Sequence, residues 1–179
     1  MTEPSAELVD HALIEEAAKK SALLWVRAEA GGPDRALWHA WHEGAVNVVV
    51  GGDEQPAPAE LGSGAVVRIT LRSKDKWGRL VAFPARVEEL APRTEAWQAA
   101  AEELKAKRLN SPDFEGVLDR WAASSTVLRL VPSGPSVENP ERFPADAHLA
   151  TPVPTSATTR NPQPAGLPKL LLRKLRKRA

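Results

Sequence analysis

The chain has 179 residues, 42% hydrophobic and 26% charged, the size and composition of one globular domain. It has no cysteine and no tyrosine, which excludes disulfides, zinc–thiolate and iron–sulfur sites, a Cys nucleophile and a Tyr acid. The net charge of +1 hides an asymmetry: all 23 acids lie at or before Asp146 and seven of the 24 bases follow it, so residues 1–146 carry −6 and the remainder +7.

Met1-Thr2-Glu3-Pro4 has neither the basic nor the apolar part of a signal peptide. No apolar run approaches the roughly 20 residues that span a bilayer. The expected location is the cytoplasm.

Residues 5–20 read as a helix. Ser5 is placed to cap it, Lys19 and Lys20 fall in its last turn, and Val9, Ala12, Leu13 and Ala17 form an apolar stripe. Three strands in a meander are expected next: Ala22–Arg27, Ala36–Trp41 and Ala45–Val50. Gly31-Gly32-Pro33-Asp34 and Glu43-Gly44 supply the turns between them. Gly51–Gly64 is a Gly/Pro-rich loop.

Ala65–Arg72 alternates cleanly, with Val67, Ile69 and Leu71 on one face and Arg68, Thr70 and Arg72 on the other. Arg79–Leu90 is a second long strand. Pro84 within it implies an edge position or a bulge. Thr94 is a cap for a helix over 95–109, and Ser111-Pro112 signals the start of another. Thr126–Val131 is a closing strand.

The expected fold is α+β: a mainly antiparallel split β-barrel with flanking helices over residues 1–132, and no βαβ alternation. From Pro132 the periodicity stops. Residues 133–166 read as a disordered Pro-rich linker. Residues 167–179 read as a basic tail with the leucine and basic interleaving of a short amphipathic helix, placed to meet an anionic membrane surface, nucleic acid or the acidic body of its own or a partner subunit; a dispensable solubilising tail is the plainer alternative.

Three groups of residues invite chemistry. His39-Ala40-Trp41-His42-Glu43 has a His-x-x-His-Glu pattern, but it falls on an expected strand end without a third ligand, so a surface or interface His pair is the plainer reading and no metal site is assigned. Gly51 and Gly52 follow a strand, where backbone N–H groups can approach a phosphate; taken alone, a plain turn is the plainer reading. Arg68, Arg72, Ser73 and Lys74 form a candidate anion cradle, against the alternative of a solvated strand face. Trp77 stands beside them as a stacking surface or a barrel cover.

The segments Ala36–Gly44, Asn47–Gly52, Val66–Leu71, Arg79–Leu90 and the helix Trp97–Asn110 together resemble the pyridoxamine 5′-phosphate oxidase-like, FMN-binding split-barrel proteins, in particular an uncharacterised bacterial branch. The resemblance implies a six-stranded split barrel, a homodimer and a flavin at the subunit interface. It further implies a flavin-dependent oxidoreductase of unknown substrate, with FMN as cofactor and deazaflavin, haem or none as alternatives. The implied cofactor-binding residues are Gly51, Gly52, Gln55, Arg68, Arg72, Ser73 and Lys74; no catalytic residue is implied.

In the family the loop after the Asn47–Val50 strand carries Ser, Arg and Lys for the flavin phosphate. Here it reads Gly51-Gly52-Asp53-Glu54-Gln55-Pro56, with two acids instead. Those acids favour the alternative function, a non-enzymatic dimeric split-barrel protein whose basic tail contacts an anionic partner.

Overall fold

The structure, a computed structural model, describes residues 6–73, 78–111, 113–136 and 138. Its elements are α1 (Ala6–Lys20), β1 (Leu23–Ala28), β2 (Arg35–Trp38), β3 (Ala40–His42), β4 (Ala45–Val50), β5 (Val66–Arg72), β6 (Arg79–Leu90), α2 (Glu95–Lys107), α3 (Val117–Ser124) and β7 (Thr126–Pro132). The seven strands form one sheet in the order β2-β1-β5-β6-β7-β4-β3, with antiparallel pairing throughout.

That order forces the shape. β2 and β3 stand at opposite edges of the sheet, yet only His39 separates them in sequence. One residue spans at most about 3.6 Å. The sheet must therefore curl until its edges meet, which gives the expected α+β split barrel. The expected single strand Ala36–Trp41 is thus two strands at a seam, and among the described residues the barrel has seven strands rather than six. The expected hairpin at Glu43-Gly44 is present, with φ of 46° and 74°, both positive as a type I′ turn requires.

Alternation sorts the side chains into two cores. Val67, Ile69 and Leu71 of β5 meet Val81, Phe83, Ala85 and Val87 of β6 inside the barrel, and Leu24, Val26, Val46, Val48 and Leu130 join them. Ile14, Ala17 and Ala18 of α1 pack into this core. Each large apolar side chain so buried stabilises the fold by about 1.5–3 kcal/mol.

The second core lies outside the sheet. Trp97, Ala100, Ala101 and Leu104 of α2 and Val117 and Trp121 of α3 cover Ala40, Val49 and Val127. β4 is therefore buried along its whole length, which explains why it is apolar on both faces except at Asn47.

Thr94 caps α2 as expected, its hydroxyl accepting from the Trp97 N–H. α3 begins later than the Ser111-Pro112 signal, because the Asp113 carboxylate accepts from the Gly116 N–H at 2.9 Å and sets the start at Val117.

β6 is an inner strand, not an edge, and it tolerates Pro84 because β7 ends there. The last β6–β7 pair is Ala85 with Pro132, and the Pro84 carbonyl accepts from the Ser133 N–H at 3.0 Å. The chain then stays on the barrel past residue 132. Glu138 makes two backbone hydrogen bonds with Ala82, of 2.9 and 3.2 Å, and the Ser136 N–H donates to Asp10 at 3.1 Å. The rest of the expected linker and the whole basic tail lie outside the described residues. Among the described residues no helix is long and apolar enough to cross a membrane.

Candidate functional site

The loop after β4 is built around its two glycines. Gly51 and Gly52 have φ of 81° and 59°, in the left-handed region that glycine enters without steric cost. A Cβ on Gly52 would lie 2.8 Å from Ser125 Oγ and 2.9 Å from the Ser124 carbonyl oxygen. The Ser125 hydroxyl donates to the Gly51 carbonyl at 3.2 Å. The close backbone approach that these glycines allow is thus to the junction of α3 and β7.

Gln55 and Glu54 then reach across the fold. The Gln55 amide accepts from the Trp38 N–H at 2.8 Å and donates to the Trp38 carbonyl at 2.9 Å, so it pairs with β2 as a strand neighbour would. Glu54, with a side chain 2% exposed, accepts from Arg108 Nε at 2.8 Å and from the Trp121 indole N–H at 2.9 Å. The carboxylate is committed to these two donors. Asp53 stays exposed.

The residues of the expected cradle have partners of their own. Arg68 forms an ion pair with Glu138. The Arg72 guanidinium lies over the Trp25 ring, 5.1 Å from its centroid. The Ser73 N–H donates to the Gly78 carbonyl at 2.8 Å and closes the turn after β5. Lys74 and Trp77 lie outside the described residues.

A cavity of about 400 Å³ opens where the ends of α1 and α2 face the β2–β3 seam. Its walls include Leu23, Trp38 and Leu109, and its cations are Lys19, Lys20, Lys107 and Arg108. Lys19 and Lys20 pair with Glu15 and Glu16 one turn back. Arg108 is held by Glu54, with its guanidinium 6.0 Å from the Trp38 ring centroid. Lys107 makes no hydrogen bond or ion pair among the described residues. Trp38 is steadied from behind by Trp121, with ring centroids 6.4 Å apart, and by Gln55 through its backbone.

His39 sits in the seam and lines the same cavity. It is 3% exposed, so of the expected surface or interface placement the surface one is corrected: the ring is buried within the fold. Its Nε2 lies 3.0 Å from the Ala18 carbonyl and donates to it in the neutral tautomer. Its Nδ1 is buried without a hydrogen-bond partner. Burial holds the imidazole pKa down to about 4; the bond to Ala18 opposes this and the charge of Lys107 reinforces it. The ring is therefore neutral near pH 7, with Nδ1 as an acceptor. His42 does not join it in a metal site: among the described residues no three His, Asp or Glu side chains cluster in that way.

Sequence reasoning missed this cavity. It joins three segments far apart in the chain, and its cations fall in or just after the last turns of α1 and α2, where a basic residue is already explained by the helix dipole.

No family model matches the chain, and no curated protein matches it. Among solved structures, the haem-storage protein HutZ from Vibrio cholerae is similar in fold, with 13% identity and a TM-score of 0.49 over 72% of this chain and 96% of that one. The flavocytochrome Anf3 from Azotobacter vinelandii is also similar, with 18% identity and a TM-score of 0.36 over 88% of this chain and 87% of that one.

Proposed function

We propose that this chain binds a planar, anionic cofactor in the cavity at the β2–β3 seam, and that the cofactor is a flavin, either FMN or a deazaflavin. The observation that carries the reading is the pairing of an indole wall with a cationic rim. Trp38 offers a ring face, and Lys107 offers an ammonium with no partner among the described residues. A volume of about 400 Å³ falls within the roughly 300–1,000 Å³ of small-molecule sites. An anionic group would gain most at Lys107, since the other three cations are already shared with carboxylates.

The flavin would supply the hydride chemistry; the chain supplies position and electrostatics. Trp38 packs against the ring and Arg108 stands beside it. Three of the expected cofactor residues serve this site at one remove. Gln55 fixes Trp38, while Gly51 and Gly52 let the loop turn so that Glu54 stands behind Arg108. Arg68, Arg72, Ser73 and Lys74 stay with the expected anion cradle.

The sequence resemblance supports the finer reading: a cytoplasmic, homodimeric oxidoreductase of the pyridoxamine 5′-phosphate oxidase-like class. Glu54 no longer weighs for the non-enzymatic alternative, because its carboxylate is taken up by Arg108 and Trp121; Asp53 alone stays exposed in that loop.

The test is to add FMN, a deazaflavin and haem separately to the purified protein, and to follow absorbance, fluorescence and thermal stability. Quenching and a raised Tm with one of the flavins support the reading. A response to haem alone moves the assignment to haem, with His39 as the first residue to substitute. No response to any of the three favours the non-enzymatic alternative.

A further inference from the structure

The face of β1 and β5 turned away from the barrel core holds a second cationic centre. Arg27 and Arg68 stand opposite each other in the β1–β5 ladder, and Arg72 stands opposite Arg79 between β5 and β6. Like charges facing across a ladder destabilise it. Carboxylates from outside the sheet offset them: Asp34 lies 3.7 Å from Arg27, and Glu138 pairs with Arg68 and, at 3.5 Å, with Arg79.

Glu138 is the buried member of its group. Its side chain is 5% exposed, against 26% for Arg68 and 27% for Arg79. It arrives on a strap, of which residues 133–136 and 138 are described, tied down by the Ser133 bond to Pro84, the Ser136 bond to Asp10 and the two bonds of Glu138 to Ala82. Beside it a cavity of about 240 Å³ is lined by Arg27, Glu29, Val66, Arg68 and Pro84 among others. Arg68 therefore borders a cavity and grips the strap at once.

We propose that this cavity is a binding site for a small oxyanion, and that the oxyanion competes with Glu138 for Arg68 and so releases the strap from β6. Each edge of a guanidinium, a parallel pair of N–H donors, holds one carboxylate or phosphate at a time, so an oxyanion that takes the edge facing Glu138 displaces it. Linkage makes the effect reciprocal: to the extent that the docked strap weakens the anion, the bound anion weakens the strap. A segment held by few backbone bonds belongs to the low-stability end of local opening.

The experiment uses the full chain with inorganic phosphate and, in a parallel arm, acetate. Sodium chloride at matched ionic strength is the control, because salt alone screens the pair. Amide exchange is read at Ala82 and at Ser136–Glu138. The expected result is faster exchange there with one of the two anions than with chloride, and loss of that response in Arg68→Ala. Glu138→Gln, which removes the competing charge, is expected to bind the same anion roughly tenfold tighter. The responding arm identifies the ligand as a phosphate or a carboxylate. Exchange equal to the chloride control with both anions overturns the proposal, as does an undiminished response in Arg68→Ala. Equal anion affinity in wild type and Glu138→Gln overturns it too; should that variant fail to fold, the exchange comparison on the wild-type chain decides alone.

Discussion

Acidification should destabilise this protein through His39. The ring is buried, and its pKa is held down to about 4, against roughly 6.5 for a histidine in an unfolded chain. Because the folded value is the lower one, the unfolded chain takes up the proton first as pH falls. The contribution to stability is whole above the unfolded value and is lost progressively as pH drops from about 6.5 toward 4. Linkage puts the loss at about 2 kcal/mol between pH ~7.5 and ~5, and at about 3 kcal/mol below pH ~4. Urea denaturation at the two higher pH values measures it. Other groups titrate in the same range or below: the Glu15 carboxyl, lowered by its bond to Lys19, also costs stability once it is protonated. His39→Gln separates the contributions, since a glutamine can still donate to the Ala18 carbonyl but has no proton to gain. If His39→Gln and the wild type lose the same stability over that interval, the reasoning is refuted.

Removing the Glu54 carboxylate should be costly for a different reason. Glu54→Ala leaves Arg108 and the Trp121 indole N–H without their acceptor, and the expected loss is about 2 kcal/mol, reduced from the range for fully buried pairs because the Arg108 side chain is 25% exposed. Glu54→Gln keeps an acceptor for Trp121 and should lose less; urea midpoints rank the two. Gly52→Ala should cost more than Gly44→Ala. Both have positive φ, but only at Gly52 would the new Cβ meet Ser124 and Ser125, so the difference between their Tm values reports the clash. Thr94→Ala should cost about 1 kcal/mol by uncapping α2, read as a lower thermal midpoint.

The barrel was legible in the sequence where its periodicity was strict. The alternation in Ala65–Arg72 and Arg79–Leu90 placed the inward faces of β5 and β6 correctly, and Thr94 marked the start of α2. The β2–β3 seam was not legible. Leu37 and Trp41 pack into the barrel core on either side of it, so apolar periodicity runs through His39 without a break. Periodicity reports which face is buried; it does not report which strand lies alongside. The Gly51–Gln55 loop failed for a related reason. Asp53-Glu54 read as acids hostile to a phosphate, but the partners of Glu54 lie 54 and 67 residues away, beyond any local pattern. The same distance hid Glu138 from Arg68, and with it the internal counter-charge to the expected anion cradle.

Equilibrium titration of FMN and of a deazaflavin into the full chain and into Lys107→Glu, at low ionic strength, bears most directly on the cofactor site. The geometry predicts saturable quenching with one flavin in the wild type and roughly tenfold weaker binding once the ammonium is replaced by a carboxylate. Saturable binding that is equally tight in Lys107→Glu, or no saturable quenching with either flavin, contradicts it.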